Sequence, residues 1–220
     1  MNEVDFITRV HQSTKRDYVG RVTSADKAHC AEVAGRFDVE YWDGERQYGY
    51  GGYRYDGRWH DVAAAMVRHY RLTPETRILD VGCGKAFLLY EFTKLLPGVE
   101  VRGIDISAYG IANAKEEVRD RLDHGSAAKL PYADNSFDFI VSLNTLHNLF
   151  NYDLDAALRE MTRVARGPQY LTVESYRNER EKANLLYWQL TCRAFMTPKE
   201  WRWAFAQAGY AGDYGFIYFE

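Results

Sequence analysis

From Thr76 onward, short β-branched runs alternate with helical stretches of about ten to fifteen residues, and this alternation constrains the fold most. Such spacing implies βαβ units and a parallel sheet. RILDV (77–81), VEVRGID (99–105), 122–126, SFDFIVSLN (136–144), QYLTVES (169–175) and the closing YGFIYFE read as strands. Between them, 85–96, 107–120, 153–164, 178–194 and 197–208 read as helices. Pro97-Gly98 ends the first, Ser107 is placed to cap the second, and Pro198 stands in the first turn of the last. The expected fold is α/β: a Rossmann-like, doubly wound, mostly parallel sheet over residues 72–220.

Residues 1–71 read as a separate cap. Helices are expected at 2–19, 24–36 and 60–70. Between them lies YWDGERQYGYGGYRYDGRW (41–59), with seven aromatics, five glycines and no sustained periodicity. It reads either as a loop whose rings pack on the neighbouring domain, or as a wall or lid over a ligand site, since tyrosine offers rigid apolar area with a polar tip. The glycines leave the backbone adaptable, so closure over a bound ligand is an expectation. Tyr48, Tyr50 and Trp59 are its candidate substrate contacts. Arg54 and Arg58 lie among the rings, either solvated or facing a carboxylate or phosphate.

Lys and Arg number 28 against 31 Asp and Glu, a net charge of −3 that argues against nucleic acid as partner. Cys30, Cys83 and Cys192 form no CxxC pair, and the six histidines show no HxH or HExxH spacing. Neither a disulfide framework nor a protein-bound metal is expected, and a reducing cytoplasm is the default compartment. No apolar run approaches the roughly 20 residues that span a bilayer, and the charged N-terminus lacks a signal-peptide core. No membrane partner is expected.

The chemistry concentrates in ILDVGCGKAFLL (78–89), where a strand carrying Asp80 runs into the turn Gly82-Cys83-Gly84 and then a helix. Glycines serve where backbone passes close to a ligand or φ is positive, and free N–H groups at a helix start favour a polar or anionic group. Asp105 ends the next strand, 25 residues after Asp80, where a carboxylate can accept hydrogen bonds from ribose hydroxyls. Together these point to an adenosine-containing cofactor. A dinucleotide fingerprint GxGxxG would place glycine at 87, where this chain has Phe87.

DVGCG (80–84), GIDIS (103–107) and LPYADNSFD (130–138) closely resemble class I S-adenosylmethionine-dependent methyltransferases, over roughly residues 75–175. The resemblance implies that Asp80, Gly82 and Gly84 form the turn receiving the methionine part of the cofactor. Cys83 lies inside that turn as a small packed residue, not a nucleophile. Asp105 would hold the ribose hydroxyls and Ile106 would pack on adenine. Ser126 and Ala127 would lie at the adenine amino group, and Asn144 near the methionine moiety. The family's third glycine is Ala86 here, and its adenine-reading aspartate is Ser126, with His124 as a substitute donor or acceptor. Only one strand follows the last helix, so the family's terminal hairpin, and its seventh strand, is expected to be missing.

The resemblance further implies methyl transfer to an oxygen or nitrogen of a small molecule, a sugar or natural-product intermediate. Protein or RNA methylation, or a non-catalytic cofactor-binding homologue, are the alternatives; the oligomeric state stays open. His147, beyond the fourth strand, is either a general base with a pKa near 6.5 or a structural histidine capping a loop. Glu174 sits at the carboxyl edge where open α/β sheets bind ligands, as a substrate contact or a salt-bridged carboxylate. Tyr176 follows as a further substrate contact or part of an exposed loop.

Overall fold

The computed structural model describes residues 1–220. Four short helices open the chain: α1 (Thr8–Gln12), α2 (Tyr18–Thr23), α3 (Lys27–Ala34) and α4 (Val39–Trp42). Then come α5 (His60–Tyr70), β1 (Arg77–Val81), α6 (Phe87–Leu95), β2 (Glu100–Asp105), α7 (Ala108–Ala112), α8 (Glu116–Arg119) and β3 (Leu122–His124). The second half holds β4 (Phe139–Leu143), a 3₁₀ turn at Leu146–Asn148, α9 (Asn151–Val164), β5 (Gln169–Glu174), α10 (Glu179–Trp188), α11 (Pro198–Ala208) and β6 (Asp213–Ile217). The six strands form one sheet in the order β3-β2-β1-β4-β5-β6, every neighbouring pair parallel. The strand order reverses between β1 and β4, and a crevice opens at the carboxyl ends there.

Strand side chains alternate between two cores, as a period of two requires. Ile78 and Phe139 join Val62, Met66, Leu89 and Phe92 of α5 and α6 on one face. Leu79 and Ile140 join Leu158 and Met161 of α9 and Trp201 and Phe205 of α11 on the other. Each such side chain, fully buried, contributes about 1.5–3 kcal/mol. Trp201 also donates its indole N–H to the carbonyl of Glu174 at 2.9 Å, fixing the carboxyl end of β5.

Three expected helices are shorter than their sequence patterns. The 2–19 stretch breaks because Asp17 caps a new helix by accepting from Gly20 N at 2.8 Å. The 107–120 stretch splits into α7 and α8 around Lys115, whose N–H bonds the carbonyl of Lys85 at 3.2 Å. The 178–194 stretch stops at Trp188; further on, the N–H groups of Arg193 and Ala194 both bond the carbonyl of His147, at 2.8 and 3.0 Å. At the last edge β6 pairs directly with β5, with no hairpin strand between them. The N-terminus lies on its other side: Glu3 bridges Tyr214, with Val4 N to Tyr214 O at 2.8 Å.

Candidate active site

Backbone geometry at the turn after β1 selects its residues. Gly82 has φ +83°, and a Cβ there would stand 2.1 Å from Thr145 Oγ1, so no side chain fits. The Gly82 N–H bonds Ile104 O at 2.7 Å, tying the turn to β2. Ala86, where the family pattern has its third glycine, is itself left-handed at φ +55°. An L-residue in that region costs about 1–2 kcal/mol, which explains why glycine is preferred and alanine still tolerated.

Asp105 ends β2 with its carboxylate accepting from Gly84 N and Ser107 N, both at 2.7 Å. Burial raises its pKa, opposed by those two N–H groups. Asp80 is 4% exposed, and burial, reinforced by the charge of Asp105, pushes its pKa up to about 8. The two acids, Gly82, Cys83, Gly84 and Ile106 line a cavity of about 140 Å³. Asn144, at φ +57°, lines it too, and its Oδ1 is buried with no hydrogen-bond partner.

The Tyr/Gly-rich segment forms the cavity's outer wall. Trp42, Tyr50, Tyr53 and Trp59 line the space directly. Trp42 donates to Ser107 Oγ at 2.8 Å, Asp43 pairs with Lys85 Nζ at 2.6 Å, and Tyr55 donates to the buried Glu91. Tyr53 stacks on Phe87 with ring centroids 5.0 Å apart. Tyr50 and Trp59 are thus at the site; Tyr48 is not, since its ring meets His29 edge-on at 6.0 Å, away from both cavities.

Three further expectations do not reach a cavity wall. Ser126 turns its hydroxyl to Ala128 N at 3.2 Å, and neither it nor Ala127 lines the cavity. His124, the proposed substitute at adenine, bonds the carbonyl of Ile106 at 2.9 Å. Tyr176 is buried in the core with Leu185, the aromatic part of its side chain being better removed from water than exposed at the sheet edge.

A second, larger cavity of about 480 Å³ adjoins the first, the two sharing Tyr41, Tyr50, Tyr53, Asn144 and Asn148. His147 and Glu174 meet in its floor, with Nε2 3.4 Å from Oε2 and Nδ1 3.4 Å from the Glu174 N–H. The oxygen is not aligned for a hydrogen bond, so Glu174 Oε2 stays buried and unpartnered while Gln189 donates to Oε1. Burial drives the His147 pKa down to about 3 and the Glu174 pKa up to about 8. Desolvation disfavours the imidazolium of His147, which argues for the structural alternative over a base near 6.5, and it disfavours the carboxylate of Glu174 as well. Sequence reading missed Arg16, Arg21 and Arg46, which line this cavity from the cap. No local motif marks them.

A family described as "Methyltransferase domain" matches residues 72–209, more than half of the chain. The chain belongs to this family. Its members are S-adenosylmethionine-dependent enzymes. A demethylmenaquinone methyltransferase of Roseiflexus sp. is 41% identical over 93 residues, which cover 41% of this chain and 38% of that protein. One from Staphylococcus aureus is 38% identical over 94 residues, 40% of this chain and 38% of that protein. The chain thus matches under two fifths of the length of these curated relatives. Among solved structures, a putative methyltransferase of Haloferax volcanii in complex with the Trm112 methyltransferase activator superposes with TM-score 0.56 at 24% identity, covering 69% of this chain and 67% of that one. The [4+2]-cyclase SpnF superposes with TM-score 0.54 at 20% identity, over 94% of this chain and 73% of that one. At these identities the likeness is one of fold.

The smaller cavity's chemistry suits S-adenosylmethionine. A turn that excludes every Cβ at Gly82 lets backbone approach a ligand, and the orphaned Asn144 Oδ1 is an acceptor without a donor. Asp80 and Asp105 bring two carboxyl groups to the same space, the kind of acceptor that suits an ammonium group and a ribose diol. No helix is long and apolar enough to cross a membrane, and no group of three or more His, Cys, Asp or Glu is placed to hold a metal ion.

Proposed function

We propose that the protein transfers a methyl group from S-adenosylmethionine, held in the smaller cavity, to an oxygen or nitrogen of a small molecule in the larger one. The observation that carries this reading is the shared wall: Asn144, Asn148 and Tyr50 border both spaces, so donor and acceptor would meet there. When bound, S-adenosylmethionine supplies a methyl already activated on a sulfonium. The chain's own task is then chiefly alignment of the two reactants. Asp80 and Gly82 would hold the methionine end, and Asp105 and Ile106 the nucleoside.

Glu174 is the proposed proton acceptor. Burial raises its pKa to about 8, so it is the ionised fraction that takes a proton from an acceptor hydroxyl or amine, while His147 Nδ1 accepts from the Glu174 N–H and holds the end of β5. The Trp59 and Tyr50 rings would exclude water from the transfer. The curated relatives are named for demethylmenaquinone, but seven of the 23 residues around the larger cavity are hydrophobic, which favours a polar acceptor.

Calorimetry with S-adenosylhomocysteine, followed by a methyl-transfer screen of small polar acceptors, tests the proposal. Binding of the nucleoside product and turnover of at least one acceptor are expected. Absence of S-adenosylhomocysteine binding would overturn it.

A further inference from the structure

Three arginines from three separate stretches of the cap converge on one tryptophan. The guanidinium carbons of Arg16, Arg21 and Arg46 lie 5.5, 5.4 and 5.2 Å from the centroid of the Trp188 ring, at the rim of the larger cavity. Several arginines elsewhere are neutralised by carboxylates: Arg58 meets Asp56 at 2.5 Å, Arg177 meets Glu181 at 2.5 Å, and Arg163 meets Glu160 at 2.7 Å. None of the three around Trp188 has a carboxylate ion-pair partner. Their partners are uncharged: Arg16 bonds the carbonyls of His11 and Thr14 and the His11 ring Nδ1, Arg21 the carbonyls of Arg46 and Trp188, and Arg46 the carbonyl of Gly49.

Those carbonyls fix the guanidiniums in place without cancelling their charge. Burial lowers the pKa of all three, and Arg46 lowers those of Arg16 and Arg21 further by repulsion. One indole can attract a cation at each face, worth about 0.5–1 kcal/mol in an exposed setting, which does not account for gathering three. Arg16 Nε is moreover buried with no partner. The acid in the cavity floor, Glu174, carries little negative charge at neutral pH because burial favours its protonated form.

We propose that Arg16, Arg21 and Arg46 form the recognition site for an oxyanion, a phosphate or a carboxylate, carried by the methyl acceptor. This rests on the reading of the larger cavity as the acceptor site. Guanidinium forks match both oxyanions with paired N–H donors, and several forks around one pocket suit a group with several oxygens. The site also orients the acceptor: anchored at the cap rim, it extends its nucleophile toward Glu174 and the wall shared with the cofactor cavity. The neighbouring Arg54 lines the same space and adds to the attraction. An uncharged quinone would leave all of these cations without a counterion.

The test uses the full chain saturated with S-adenosylhomocysteine and titrated calorimetrically with inorganic phosphate or acetate, against chloride at equal ionic strength. Saturable binding of at least one oxyanion is expected; phosphate preference indicates a phosphorylated acceptor and acetate preference a carboxylate. Arg16→Gln, Arg21→Gln and Arg46→Gln should each raise the oxyanion Kd about tenfold or more, a tenfold change being 1.4 kcal/mol. S-adenosylhomocysteine affinity should stay within about threefold. Without ligand, Arg46→Gln should raise the melting temperature by relieving repulsion, an effect that a purely structural arginine would not give. If Arg16→Gln fails to fold, Arg46→Gln decides alone.

No oxyanion binding beyond the chloride control overturns the inference and leaves the methyl-transfer reading standing. Equal loss of S-adenosylhomocysteine affinity in the variants also overturns it, since the arginines would then hold the cofactor's own carboxylate. Failure of the wild type to bind S-adenosylhomocysteine strikes the methyl-transfer reading instead, while oxyanion binding by the larger cavity is still measured directly.

Discussion

The smaller cavity takes its acids and its glycine turn from the ends of two adjacent strands, with the cap and the end of β4 closing it, whereas the polar groups of the larger one converge from most of the chain. Asp80, Gly82, Gly84, Asp105 and Ile106 come from β1, β2 and the turns that follow them. The larger cavity takes Arg16 from the loop between α1 and α2, Arg21 from α2, Arg46 from the Tyr/Gly-rich segment, His147 from beyond β4, Glu174 from β5 and Trp188 from the end of α10. In the first, backbone geometry dictates residue identity, so a short motif announces it. In the second, side chains converge from afar and each position tolerates many residues. The family match accordingly begins at residue 72, after the cap.

The strongest test of this contrast is Gly82→Val. With φ at +83° and Thr145 Oγ1 2.1 Å from the modest Cβ alone, the variant must move the turn. A destabilisation of about 3 kcal/mol or more and loss of S-adenosylhomocysteine binding by over a hundredfold are expected. A melting curve and a calorimetric titration check it. Near-normal binding would mean that the turn is less constrained than its geometry indicates.

Asp105 comes next and sharpens the same point. Asp105→Ala should raise the S-adenosylhomocysteine Kd ten- to a hundredfold, the scale of losing a charged acceptor. The structure adds a cost, because the carboxylate also holds Gly84 N and Ser107 N, and a further 1–3 kcal/mol of stability, roughly, should go with it. Asp105→Asn keeps one acceptor oxygen and should lose less stability than the alanine while still weakening the nucleoside contact. Equal melting temperatures for the two variants would show that those N–H groups find other partners.

The same distinction explains what was legible in the sequence. All six strands and the turn after β1 could be read, because alternation and glycine spacing are local signals. The break before Asp17 and the split at Lys115 could not, since a side-chain cap and a bond to a distant carbonyl decide them. Asp80, Asp105 and Asn144, which the motifs group together, line one cavity. His147 and Glu174 are both singled out by sequence, but their approach across the ends of β4 and β5, and the burial that shifts both pKa values, depend on long-range packing. Tyr176 and Tyr48 were misplaced because an aromatic at a loop or strand end has no local signal for which side it turns.

The pH dependence of stability tests the larger cavity. The Glu174 pKa is raised from an ordinary 4.5 to about 8. Its contribution is therefore full below pH 4.5 and is lost as pH rises through about 8. Glu174→Gln removes that loss, so the unliganded variant should gain stability over the wild type by up to about 4 kcal/mol at pH 9, with a much smaller difference at pH 5. Asp80, also raised to about 8, produces the same trend in both proteins and cancels in the comparison. His147 acts oppositely, its lowered pKa giving stability present above pH 6.5 and lost toward pH 3, and it too is common to both proteins and cancels. A gain equal at both pH values would show that Glu174 is ionised in the folded protein.

The smallest expected effect concerns residues 41–59, the boundary between the two regions. Five glycines suggested an adaptable lid, but the structure gives most of them a fixed purpose. A Cβ on Gly49 would lie 2.1 Å from the carbonyl oxygen of Tyr41, and Gly51, Gly52 and Gly57 hold positive φ. Glycine is required there by a single conformation, not by several. The segment's backbone is tied as well, with Tyr50 N bonded to Tyr41 O at 2.9 Å, and Gly52 N and Tyr53 N to Trp42 O at 3.1 and 2.9 Å. Its side chains anchor to α6, α7 and the intervening turns through Asp43–Lys85, Tyr109–Asp43 and Tyr55–Glu91. Opening it would expose Trp42 and break these contacts together, so local unfolding here should be rare. Hydrogen exchange of the Tyr50, Gly52 and Tyr53 amides should be slow without ligand and change by less than about fivefold when S-adenosylhomocysteine binds, since less than about 1 kcal/mol then separates the two states. Slowing by two orders of magnitude or more would restore the lid, and would mean that the cap closes on the cofactor instead of standing as a wall already built.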